Sequence, residues 1–119
     1  MKKVNLICIP PELREQVAKD LEQVEVSAVW SGGRSMEITH PEATKGNALL
    51  ALCRMLDIPV ENVMALGDSG NDITMLREAG LGVAMGNAPD FVKAAADVIT
   101  ETNENDGAAI AIERYALNR

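Results

Sequence analysis

The run Val63-Met64-Ala65-Leu66-Gly67-Asp68-Ser69-Gly70-Asn71-Asp72 constrains this chain more than any other stretch: an apolar segment breaks into a glycine-spaced turn that carries two carboxylates. Such a run reads as a buried strand delivering an acidic loop. Gly67 and Gly70 permit a tight turn, and Asn71-Asp72 then cap a helix whose apolar positions are Ile73, Met75, Leu76 and Ala79. Asp68 and Asp72 thereby converge at the carboxyl end of a strand, where open α/β sheets place their ligands. Two hard oxygen donors there suit Mg²⁺, which is usually held by one or two carboxylates together with water and substrate phosphate.

The flanks extend the pattern. Lys45 to Leu56 is helical in period, with Ala48, Leu49, Leu52, Cys53 and Leu56 on one face, and Asp57-Ile58-Pro59 ends it. After the Val63 strand and the Asp72 to Ala79 helix come a strand over Leu81 to Met85 and a helix capped by Asn87 and running from Pro89 to about Ala96. A brief strand at Val98 to Thr100 and a helix over Ala108 to Ala116 complete the chain. Alternating strands and helices imply a parallel sheet covered on both faces. The first third differs: strand Val4 to Ile9, helix Glu12 to Gln23 opened by Pro10-Pro11, strand Val24 to Trp30, turn Ser31-Gly32-Gly33-Arg34 and strand Ser35 to Thr39, the last two strands forming a hairpin. His40-Pro41-Glu42-Ala43 has no period and reads as a linker. It divides residues 1–40 from residues 41–119.

Bulk properties narrow the function. The net charge of −7 argues against a nucleic-acid surface, which needs clustered Lys and Arg. No run approaches the roughly 18 apolar residues of a membrane span. Lys2-Lys3 ahead of an apolar stretch faintly imitates a signal peptide, but the stretch is short and meets Pro10-Pro11 without a small-residue cleavage site. Cys8 and Cys53 lack any metal-ligand spacing and read as buried free thiols, which points to a reducing, cytoplasmic setting. Aromatic residues make up only 3% of the chain, so its core has to be aliphatic. Trp30 is expected to pack rather than bind substrate, His40 to lie on the surface, and Glu101 to Asp106 to form a solvated loop. Gly80, Gly82 and Gly86 imitate a dinucleotide fingerprint, but they run from helix into strand, the reverse of the required order.

A turn with two aspartates is also what ordinary helix caps look like, and a lone lysine at a helix start is usually solvated. Lys45 together with Asp68 and Asp72 is harder to dismiss, because a cation one α/β unit before the acidic strand can meet an anion held there. Thr44-Lys45-Gly46, Gly67-Asp68-Ser69-Gly70-Asn71-Asp72 and Ala79-Gly80-Leu81-Gly82-Val83-Ala84-Met85-Gly86-Asn87-Ala88 closely resemble the carboxyl-terminal half of the haloacid dehalogenase-like (HAD) superfamily, in particular its Cof-type sugar-phosphate phosphatases. The resemblance implies an incomplete HAD-like, Rossmann-like α/β core over 41–119, preceded by a remnant of an α/β cap over 1–40. It implies a cytoplasmic Mg²⁺-dependent hydrolase of small phosphorylated metabolites. Lys45 would neutralise the transferring phosphoryl group, Asp68 would ligate Mg²⁺, Asp72 would be the second metal-site carboxylate or would orient Lys45, and Asn71 would contact substrate phosphate. Gly86-Asn87 would lie beside the site.

One departure from the family pattern matters. The family attacks phosphorus with an aspartate of an Asp-x-Asp motif, and this sequence contains none. Its hydroxyl-bearing second motif has no counterpart either. In the family sheet the nucleophile strand lies beside the one expected at Val63 to Leu66, so that strand would have an open edge able to recruit a second copy or an amino-terminal half. The chain alone is expected to be inactive. A non-catalytic binding or assembly module, a split-enzyme subunit and a receiver-like regulatory domain are the competing classes.

Overall fold

The parallel sheet promised by the second half of the sequence forms from three strands, β4 (Met64–Gly67), β5 (Leu81–Ala84) and β6 (Val98–Ile99), in the order β4-β5-β6. The computed structural model describes residues 3–31 and 33–118. Contacts divide the chain into two compact units, one up to Thr44 and one from Lys45 onward.

In the first unit, β1 (Val4–Leu6), α1 (Arg14–Glu22), β2 (Ser27–Ser31) and β3 (Ser35–Thr39) give the expected β-α-β-β order. The strands form an antiparallel sheet in the order β1-β3-β2, with Trp30 opposite Met36 in the hairpin register. Gly32, in the expected hairpin turn, and Lys2, in the basic start of the chain, lie outside the described residues. The first strand is shorter than expected: the chain bends after Leu6, Cys8 adopts a left-handed φ of 55°, and the Ile9 N–H returns to the Arg34 carbonyl at 2.9 Å. The bend leaves Cys8 exposed, correcting the expectation of two buried thiols; Cys53 is buried and both are free. Trp30 packs under the Arg14 guanidinium, 5.9 Å from its ring centroid. His40 is exposed, and its Nδ1 accepts the Glu42 N–H at 3.2 Å.

In the second unit, α2 (Lys45–Leu56) packs on α3 (Ile73–Glu78), which in turn lies on β4 and β5. The core is aliphatic, as the scarcity of aromatics requires: Leu76, Ala84, Ala88 and Val92 form its centre, with Ile73 and Ala96 against them. Helix α4 (Asp90–Lys93) stops short of Ala96 because Asp97 is taken into the sheet, its Oδ2 accepting the Gly82 N–H at 2.7 Å. Asn87 does not cap α4; Pro89 occupies that place, and the Asn87 Oδ1 accepts the Asn103 N–H at 2.8 Å. Glu101 to Asp106 is thus more than a solvated loop, since Glu101 O also receives the Gly86 N–H at 3.0 Å. Helix α5 (Gly107–Ala111) widens into a π-type turn over Ile112–Ala116.

Strand β4 pairs with β5 on one side and, among the described residues, with no strand on the other. No helix of the described residues is long and apolar enough to cross a membrane. Leu76 is only 1% exposed at the centre of the α3–sheet contact. Leu76→Ala should therefore cost about 2–5 kcal/mol of stability in urea denaturation, the range for an incompletely collapsing cavity.

Candidate active site

Strand β4 ends at Gly67, and the chain turns through Asp68 and Ser69 into a 3-10 turn over Gly70–Asp72 that runs on into α3. The cap of this 3-10 turn is Ser69, paired with Asp72 in a reciprocal capping box, while Asp72 stands at the N-cap position of α3 as expected, without a side-chain cap bond into that helix. The sequence carries the signal for it: Ser-x-x-Asp has the spacing of a capping box with the shorter acid in the third position. Asp72 consequently folds back over the turn. Its Oδ2 accepts the N–H of Asp68 at 2.9 Å, the N–H of Ser69 at 3.1 Å and the Ser69 hydroxyl at 3.3 Å.

This fold-back requires a glycine at position 67. A Cβ there would sit 2.5 Å from Asp72 Cβ and 2.9 Å from its Oδ2, closer than side chains approach. The other Asp72 oxygen, Oδ1, accepts a hydrogen bond from Lys45 Nζ, so the first residue of α2 meets the turn after β4. The Asp72 side chain is 6% exposed and that of Lys45 49%, which makes the pair a buried anion covered by a half-exposed cation. A lysine at a helix amino terminus opposes the helix dipole. Asp72 supplies the compensating charge.

Burial pushes the Asp72 carboxyl up, but the hydrogen bond from Lys45 and those from the Asp68 and Ser69 N–H groups outweigh it and hold the group below its ordinary value near 3.8. Asn71 lies in the same turn, its Oδ1 2.9 Å from the Ser69 hydroxyl, which it shares with Asp72 Oδ2. Asp68 is exposed at the carboxyl end of β4. Gly86-Asn87 follows β5 next to this turn, because the Met85 N–H bonds to Gly67 O at 2.9 Å. Ser69, and Thr74 on α3, whose hydroxyl accepts the Gly46 N–H at 3.0 Å, are parts of the site that the motif reading passed over. No sequence signal marks Thr74.

Both Asp72 oxygens are engaged by protein donors, and among the described residues no three His, Cys, Asp or Glu side chains gather into a metal cage. One exposed carboxylate with room for water and phosphate is still within what Mg²⁺ accepts. The residues therefore fit a partial Mg²⁺ site centred on Asp68, with Asp72 acting on Lys45 and the turn.

A parallel α/β unit thus gathers a lysine, two aspartates and an asparagine at one strand end. The family profile described as haloacid dehalogenase-like hydrolase matches residues 1–112, and the chain belongs to that family. It is 45% identical over 107 residues to the 5-amino-6-(5-phospho-D-ribitylamino)uracil phosphatase YcsE of Bacillus subtilis (strain 168), covering 89% of this chain and 43% of that protein. It is 40% identical over 103 residues to a phosphoglycolate phosphatase of Methanobrevibacter smithii, covering 87% of this chain and 44% of that protein. Among solved structures, a haloacid dehalogenase-like hydrolase from B. subtilis superposes with a TM-score of 0.88 at 38% identity, over 95% of this chain and 40% of that one. A HAD subclass IIB sugar phosphatase gives 0.85 at 31% identity, over 97% and 43%. The chain thus spans less than half the length of the relatives it matches.

The Asp72 environment has a signature in acid. A carboxyl lowered by folding contributes stability above its unfolded pKa and loses it as pH falls through the folded value. Asp72→Asn should be less stable than the parent by about 1–3 kcal/mol at pH 7, and the gap should narrow as pH drops from about 5 to about 2. Urea denaturation in chelator-treated buffer measures both, and a gap that stays constant with pH would contradict the assignment.

Proposed function

We propose that the chain is the carboxyl-terminal portion of a Cof-type, Mg²⁺-dependent phosphatase that hydrolyses phosphomonoesters of small metabolites, and that it is inactive by itself. The observation that carries this reading is the Lys45–Asp72 pair set beside the exposed Asp68 carboxylate at the end of β4. A phosphoryl group in transfer carries negative charge that a fixed ammonium stabilises best where water is scarce. Lys45 is that ammonium, and Asp72 keeps it aimed at the strand end. Asn71 offers amide donors to phosphate oxygens from the same turn. Asp68 would hold Mg²⁺, which supplies further positive charge against the phosphoryl oxygens when bound.

These groups bind and neutralise; none of them attacks phosphorus. The nucleophile and the general acid belong to the Asp-x-Asp motif, which this sequence lacks. The two phosphatase relatives are named for different phosphorylated metabolites, which supports the class of substrate rather than one compound.

The edge of β4, unpaired among the described residues, favours a second reading alongside the first: a split-enzyme subunit, or a non-catalytic binding or assembly module, that takes up an amino-terminal half or a second copy along residues 63–66. The two free cysteines suit a cytoplasmic setting for either.

Three measurements test these readings. In calorimetry at millimolar Mg²⁺ the chain should give a weak binding heat that Asp68→Asn abolishes; no heat at all would favour the non-catalytic module. With Mg²⁺ and an aryl phosphate the chain alone should show no turnover, and an added amino-terminal portion carrying an Asp-x-Asp strand should restore it. In sedimentation at tens of micromolar it should be larger than a monomer, or become so with that portion. A monodisperse monomer with fully protected amides over 63–66 would sink the strand-edge reading.

A further inference from the structure

The contact between the start of α2 and the first turn of α3 is closer than helix packing usually allows. Gly46 is buried, and a Cβ on it would stand 2.8 Å from the Thr74 carbonyl oxygen and 2.9 Å from Thr74 Cβ. The first N–H groups of a helix have no partner within it. Here the neighbouring helix provides one, the Thr74 hydroxyl, at 3.0 Å from the Gly46 nitrogen. We infer that Thr74 is a positioning residue for Lys45: by accepting the Gly46 N–H it fixes how near the amino terminus of α2 lies to α3, and so places the Lys45 ammonium on Asp72.

Three features carry the inference. Lys45 and Gly46 are consecutive, so a shift of the α2 terminus moves Lys45 directly. The helix dipole does not favour a cation at Lys45, which leaves tertiary contacts to hold it there. Thr74 itself is exposed and lies outside the Leu76–Ala84–Ala88–Val92 centre, so its hydroxyl can be removed without cutting into the core. Valine keeps the shape of threonine but puts a methyl where the oxygen sits. At 3.0 Å from a nitrogen that methyl is well inside the usual carbon contact of roughly 3.5–4.0 Å, so the helix end has to move away. Displacements of this size matter where a charged group must meet a reacting centre.

The consequence for catalysis rests on the phosphatase reading, but the geometry is measurable on the chain by itself. NMR order parameters of the lysine side chains, with amide exchange at Gly46, read it directly. In the parent, Lys45 should be markedly more ordered than the exposed Lys19. Thr74→Val should bring Lys45 down to the level of Lys19 and speed Gly46 exchange by about tenfold, the loss of one hydrogen bond. Thr74→Ser, which keeps the hydroxyl, should preserve both. Gly46→Ala separates the helices with Thr74 intact and should also release Lys45, so the inference does not depend on one variant folding. A Thr74→Val chain with parental Lys45 order and Gly46 exchange, or a Thr74→Ser chain without them, overturns it. If Lys45 is released as expected while the parent shows no Mg²⁺ heat, the positioning role stands and the phosphatase reading fails.

Discussion

A carboxylate that is almost fully buried has to be compensated, and the region around β4 is arranged to compensate Asp72. Two backbone N–H groups and a hydroxyl of the turn converge on one of its oxygens, and Lys45 on the other. Each donor imposes a condition elsewhere. The N–H groups point inward only if the chain coils immediately after β4, which excludes a side chain at Gly67. Lys45 reaches Asp72 only if α2 starts against α3, which excludes one at Gly46. Removing one partner of such a cluster leaves a buried charge unpaired, which is why these sites tolerate little change.

The same geometry gives the two aspartates of the turn different surroundings. Asp72 spends both oxygens on the protein, while Asp68, its neighbour on the turn, stays exposed at the strand end. A positive group is thereby fixed beside a carboxylate that stays open to solvent. Among the described residues, the sheet that presents them has no strand beside β4 on its outer side. Parallel strands are normally enclosed within a sheet, and the relatives are more than twice as long as the chain's share of them.

Much of this was legible in the sequence because it depends on local rules. An apolar run followed by glycine-spaced aspartates is a strand entering a ligand-bearing turn, and strict helical period identifies α2 with Lys45 at its head. What escaped was decided by atoms far apart in the chain. Cys8 is exposed because Ile9 bonds to Arg34, and Asn87 is drawn from the start of α4 to the backbone of Asn103. The short α4 reflects the claim of Asp97 on Gly82. Ser69 is the exception, since its capping spacing was available and was overshadowed by the more polar Asn71-Asp72.

By itself the sequence determined the α/β alternation, the acidic turn at the end of β4 and the family to which the chain belongs. Periodicity and turn chemistry act within a few residues, so they can be read in one dimension. The tertiary structure alone decided the division of labour between the two aspartates, turning Asp72 inward onto Lys45 and leaving Asp68 outward, and it alone brought Thr74 to Gly46. Those outcomes depend on where buried N–H groups point and on how closely two helices approach, quantities that exist only once the sheet and its helices have packed.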